Sequence, residues 1–102
     1  MSIDMNPCKR IEIVIEQPLA QRLKKQLDDI GVSGYTIIPG VSGRGDRGIR
    51  RKDDPTGTFT NCIFIVACED PDEVTRVVDG VRPLLSRSGG ICLVSDAQWV
   101  KH

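Results

Sequence analysis

Aromatic residues are scarce in this chain: one tryptophan, one tyrosine and two phenylalanines among 102 residues. A sheet that reads single-stranded RNA needs exposed rings for base stacking, and few are available here. Net charge is missing as well, since 14 Lys and Arg are offset by 14 Asp and Glu. General nucleic-acid and membrane-surface binders carry a basic excess, so no nucleic-acid partner is expected. Histidine occurs once, at the last position, His102. The four cysteines (Cys8, Cys62, Cys68, Cys92) contain no Cys-x-x-Cys pair, so no metal site is expected. A hydrolase needs an activated nucleophile, a carboxylate pair or a metal to activate water. None is evident, and Asp53-Asp54 reads as turn chemistry, so the chain is not expected to be an enzyme. The start, Met1 to Asn6, has neither a basic run nor an apolar one, and no stretch approaches the length of a membrane span. The expected location is cytoplasmic.

What is present fits one domain over residues 1–102 with a single modest core. Ile11-Glu12-Ile13-Val14-Ile15-Glu16 alternates and reads as a strand. From Pro18 to about Ile30, Leu19, Leu23, Leu27 and Ile30 form a helical stripe, and Gly31 suits the position past a helix end. Val32 to Ile38 reads as a second strand, broken by Pro39 and Gly40. Phe59 to Cys68 reads as a third strand, continuously apolar in its middle. Asp70-Pro71-Asp72-Glu73 is a helix start, with Asp70 as N-cap, Pro71 at the first position and Glu73 in the capping-box slot. Val74, Val77, Val78, Val81 and Leu85 continue that helix, with Gly80 and Pro83 expected to interrupt it. Ser86-Arg87-Ser88-Gly89-Gly90 reads as a glycine-bearing loop before a last strand, Ile91 to Ser95. The tail from about residue 97 to 102 suits a short extra strand. Cys62, Cys68 and Cys92 fall in apolar runs and are expected as buried free thiols.

The order strand, helix, strand, strand, helix, strand is the ferredoxin-like split βαβ pattern, an α+β fold with helices on one face of an antiparallel sheet. Val14, Ile37, Phe64 and Cys92 or Leu93 exceed what two helices can cover, so the second sheet face calls for a partner and an oligomer is expected.

Between the second and third strands, residues 40–58 form a long connection, a length usually tied to function or disorder. It holds five basic side chains (Arg44, Arg47, Arg50, Arg51, Lys52) against three acidic ones (Asp46, Asp53, Asp54). Its start, Gly40-Val41-Ser42-Gly43-Arg44-Gly45-Asp46-Arg47-Gly48, interleaves glycine with arginine. Glycine lets backbone N–H groups approach an anion, and the guanidinium fork suits phosphate or carboxylate. A solvated surface loop has the same composition, so the segment by itself leaves both readings open.

Gly31-Val32-Ser33-Gly34-Tyr35-Thr36-Ile37-Ile38, followed by Gly43-Arg44-Gly45-Asp46-Arg47, resembles the PII signal-transduction superfamily. The resemblance covers essentially the whole chain. The pattern Gly43-x-Gly45-x-Arg47 is similar to the PII-like group tied to inorganic carbon uptake, whose members are encoded near carboxysome or bicarbonate transporter genes. It implies a homotrimer with nucleotide clefts between subunits, ADP or AMP as ligand, bicarbonate as effector and no metal. It also implies a T-loop, about 40–58, that engages a bicarbonate transporter in the membrane or another protein.

Carried over by position, Gly43, Arg44, Gly45 and Arg47 match the T-loop base at the phosphates. Ser33, Gly34 and Thr36 match the strand entry that lines the cleft. Ser88, Gly89 and Gly90 fall in the B-loop, and Lys101 stands near a basic residue of the C-terminal segment. Arg47, with Arg44, is the expected bicarbonate contact. The B-loop here is contracted, which favours ADP or AMP over ATP, and the T-loop has no tyrosine to accept a nucleotidyl group. A structural, metal-tolerance-type trimer of the same fold, without nucleotide binding, is the alternative. Trp99 suits the core by default, or else the underside of a nucleotide or a neighbouring subunit.

Overall fold

The computed structural model describes residues 4–43 and 60–102. Strand β1 (Met5–Glu16) runs through one 3-10 turn (Gln17–Leu19) into helix α1 (Ala20–Ile30). Strand β2 (Thr36–Val41), strand β3 (Asn61–Cys68), helix α2 (Pro71–Ser88) and strand β4 (Ile91–Val100) follow. The four strands form one sheet in the order β2-β3-β1-β4 with every neighbouring pair antiparallel. This is the ferredoxin-like βαββαβ arrangement that the alternation of strand and helix patterns predicts.

Period-2 patterning explains the inner layer. Ile11, Ile13 and Ile15 of β1 and Cys62, Phe64 and Val66 of β3 are buried against the helices. Leu23 and Leu27 of α1 and Val77, Val81 and Leu84 of α2 close the layer from above. The helices meet at Gly80, where a Cβ would stand 2.7 Å from Ile30 Cδ1, so this glycine lets them approach. Gly31 ends α1 in the left-handed region (φ 84°) with its N–H on the carbonyls of Leu27 and Asp28, as its place in the sequence predicts.

Five expectations need correction. The second strand begins at Thr36 and not at Val32. Pro39 and Gly40 lie inside β2, where the pairing register shifts between Ile38 and Val41. β2 is an edge strand, so a proline without an N–H costs the ladder nothing there, and the Gly40 N–H donates to Gln17 Oε1 at 3.1 Å. Neither Gly80 nor Pro83 interrupts α2. Pro83 and Asp79, whose carbonyl loses its helical donor, are both exposed residues, so the missing bond falls on the solvent side of α2. The expected loop 86–90 shrinks to Gly89 and Gly90, because α2 continues through Ser88. The tail to Val100 is no separate strand but the end of β4, paired with β1 through Val100 and Met5. The expected start of the third strand at Phe59 lies outside the described residues.

The second sheet face is apolar, as expected, but its membership differs. Ile37, Phe64, Ile13 and Cys92 form one cross-strand row on the helix side. The outward rows are Ile38, Ile63, Val14 and Ile91, then Thr36, Ile65, Glu12 and Leu93. Ile38, Ile91 and Leu93 are 41%, 44% and 56% exposed, so no described element covers them.

Candidate functional site

The segment joining α1 to β2 has no regular structure of its own, yet it is anchored at several points. Val32 packs on the core, and its N–H reaches the Leu27 carbonyl. The Ser33 backbone N–H donates to Glu73 Oε2 at 2.9 Å, and its hydroxyl contacts the same oxygen at 3.4 Å. Tyr35 lays its ring 6.0 Å from that of Phe64, and its hydroxyl donates to Asp28 Oδ1 at 3.0 Å. Desolvation pushes the Tyr35 phenol pKa up, and the Asp28 carboxylate pushes it further in the same direction.

Where this segment meets the open sheet face, an open pocket of about 430 Å³ is lined by Ser33, Gly34, Tyr35, Thr36, Ile65, Ala67 and Trp99. Its walls are aliphatic and aromatic, and its rim is hydroxyl and backbone. That combination suits a flat, largely apolar ring with a few polar edges. Ser33, Gly34 and Thr36, which the resemblance assigns to a ligand cleft, thus line one pocket. Trp99 departs from the core reading: it is 44% exposed on β4 and helps wall the pocket. Its position follows from β4 running to Val100, which extended patterning of a polar tail did not reveal. Ile65 and Ala67 carry no signal of their place in the sequence, because an unbroken apolar run does not say which alternate residues face outward.

The other candidate residues lie elsewhere in the chain. Gly89 and Gly90 form the link from α2 to β4, at the end of the sheet where Val41 pairs with Asn61. Ser33 and Trp99 lie toward the opposite end, where Trp99 pairs with Asn6. Gly90 has its own structural reason: φ is 126°, and a Cβ would sit 2.6 Å from the Val14 carbonyl oxygen. The Ser88 hydroxyl is used locally, donating to the Leu84 carbonyl at 2.7 Å. Lys101 follows the end of β4, its N–H on the Asp4 carbonyl at 3.0 Å. Gly43 is exposed two residues after β2, while Arg44, Gly45 and Arg47 lie outside the described residues.

Two chemistries have no support within the described part. No group of three or more His, Cys, Asp or Glu side chains there is placed to hold a metal ion. Cys8, Cys62 and Cys68 are buried and Cys92 half-buried, all as free thiols. Burial raises the pKa of Cys62 and Cys92. It pushes Cys68 up to about 11, with the nearby Glu73 charge adding to the effect. Such thiols are poor nucleophiles at neutral pH. No described helix is long and apolar enough to cross a membrane.

The sequence model of the family described as nitrogen regulatory protein P-II matches residues 8–102. No curated protein matches the sequence. Among solved structures, the chain is similar to CPII from Thiomonas intermedia K12, a nitrogen regulatory PII-like protein bound to ADP, AMP and bicarbonate. The TM-score is 0.79 and the identity 27%, over 97% of this chain and 99% of that one. CPII bound to ADP and bicarbonate gives a TM-score of 0.81 at 27% identity, over 98% of this chain and 95% of that one. The Bacillus subtilis GlnK-ATP complex gives 0.61 at 20% identity, over 89% and 82%, a likeness of fold.

Proposed function

The chain belongs to the nitrogen regulatory protein P-II family, and on that footing we propose that it is a PII-like signalling regulator that binds ADP or AMP and senses bicarbonate. The observation that carries this reading is the pocket of Ser33, Gly34, Thr36, Ile65 and Trp99 on the open sheet face. An adenine ring fits its chemistry: a flat apolar body against indole and isoleucine, with ring nitrogens toward hydroxyl and backbone groups. Two of the similar structures hold ligands of this kind, ADP, AMP and bicarbonate in one and ADP and bicarbonate in the other.

The pocket is open on one side and sits beside an uncovered apolar face. A second copy of the chain covering that face would supply the missing wall, which supports a homotrimer with clefts between subunits. The same association offers a route for Gly89, Gly90 and Lys101 of neighbouring copies to approach the phosphates. A two-glycine link presents few backbone donors, which supports ADP or AMP over ATP. Gly43, Arg44, Gly45 and Arg47 are the proposed phosphate contacts at the T-loop base. Arg47 with Arg44 is the proposed bicarbonate site, because a planar anion pairs with a guanidinium fork. The T-loop would then carry the signal to a protein partner, a bicarbonate transporter being the proposed one, and so regulate inorganic carbon uptake.

Calorimetric titration tests the reading. We expect saturable heat with ADP or AMP, and an affinity that changes when bicarbonate is added, since coupling between two ligands is reciprocal. Absence of heat with ADP, AMP and ATP would overturn it in favour of a structural trimer.

A further inference from the structure

Glu73 is the one buried charged or polar residue among the described residues, 6% exposed on the first turn of α2. Its place in the sequence predicts a capping box, in which its carboxylate would return to the Asp70 backbone. That role is not taken. Asp70 caps α2 by itself, its Oδ1 accepting from the Asp72 N–H at 2.9 Å. Glu73 turns away from the helix end toward the α1–β2 connection and accepts from both the backbone N–H and the hydroxyl of Ser33. Taking a carboxylate out of water is costly unless it is hydrogen-bonded, so a buried acid held on one short segment calls for an explanation beyond packing. The segment it holds is a wall of the ligand pocket: Ser33, Gly34, Tyr35 and Thr36 line it consecutively.

We infer that Glu73 is a positioning residue, a buried acid on α2 that fixes the Ser33–Thr36 wall in its ligand-binding conformation. Without it, the segment keeps two ties to α1, the Val32 N–H on Leu27 and the Tyr35 hydroxyl on Asp28, but loses its tie to α2. Both polar groups of Ser33 are then free to rotate into the pocket or into water. The bound ligand must order the wall itself, and affinity falls accordingly. Ser33 also changes meaning: its hydroxyl faces Glu73, so it shapes the pocket rather than serving as a first-choice ligand donor.

This inference rests on the nucleotide reading above, and the experiment separates the two. ADP affinity is measured for the wild-type chain, Glu73→Gln and Glu73→Leu, with thermal unfolding followed in parallel. Glutamine keeps the size and one oxygen acceptor, whereas leucine removes both acceptors while tolerating burial. We expect ADP binding to weaken about 3-fold in Glu73→Gln and about 10-fold in Glu73→Leu, as a neutral hydrogen bond is roughly half as strong as a charge-assisted one. The graded partial rescue by glutamine, without a matching order of melting temperatures, marks positioning rather than bulk stability. Faster hydrogen exchange at the Ser33 amide in Glu73→Gln is the accompanying signature. If Glu73→Leu does not fold, Glu73→Gln decides: weaker ADP binding with faster Ser33 exchange supports the inference, and unchanged affinity overturns it. Wild-type binding with equal affinity in a folded Glu73→Leu overturns the inference alone. A wild-type chain that takes no adenine nucleotide overturns both.

Discussion

The two faces of the sheet are built from the same kind of residue and end in different situations. On the helix side, Ile11, Ile13 and Phe64 are fully buried. On the other, Ile38, Ile91 and Leu93 stay 41–56% exposed, although each lies beside a half-buried helix-side residue, Ile37 or Cys92. Composition therefore does not distinguish a core face from an interface face; the count of covering elements does. Two helices cover one side of a four-stranded sheet, and the other side is where a second copy is proposed to sit. The pocket belongs to the uncovered face, so the proposed ligand site and the proposed subunit contact share one surface.

The largest break in this comparison comes from the covered face. Phe64→Ala should cost about 3–5 kcal/mol, a large share of an ordinary domain's total stability. Chemical denaturation measures it, and a loss near zero would mean the core is misassigned. The same kind of change on the open face should act on association instead. Leu93→Asp places a charge where a neighbour is proposed to sit, so the assembly should dissociate toward the 11.2 kDa chain. Sedimentation checks this, and an undisturbed oligomer would show that β4 is not covered. Within the pocket, Trp99→Ala should weaken ADP about 10-fold, roughly 1.4 kcal/mol, through loss of a stacking wall. The mutation leaves the helix side untouched, so the far-ultraviolet spectrum should not change.

The smallest effect concerns the buried thiols. Burial raises the folded-state pKa of Cys68 from its ordinary 9.0 to about 11. The folded chain thus holds that proton more tightly than the unfolded one. The contribution is complete below pH 9 and is lost as pH rises through about 11. Unfolding free energy should decline over that window, and Cys68→Ala should flatten the decline.

Much of this architecture was legible in the sequence because its signals are local. Leu23 and Leu27 mark the buried side of α1, and Asp70-Pro71 marks the start of α2. The errors arose where a local signal was overruled by position. Pro39 is tolerated because β2 lies at the sheet edge, and Pro83 because its side of α2 faces water. Assignment of the sheet faces failed by parity, since a one-residue slip exchanges Ile37 for Ile38 and Phe64 for Ile63 or Ile65. In the candidate site, Ser33, Gly34 and Thr36 were reached only through the family resemblance of the segment around them. The pocket place of Trp99 was only the second choice and that of Glu73 was not legible at all, because each reaches its neighbours across the fold, over separations of 63 and 40 residues from Thr36 and Ser33.

Trp99 is the chain's single tryptophan and lines the pocket, so its fluorescence reports on the site without a label. Titration of the wild-type protein with ADP, repeated with bicarbonate, tests the central claim most directly. The account predicts a saturable change in Trp99 emission whose midpoint moves when bicarbonate is present. Emission that stays constant through the titration, with no heat released, would contradict it.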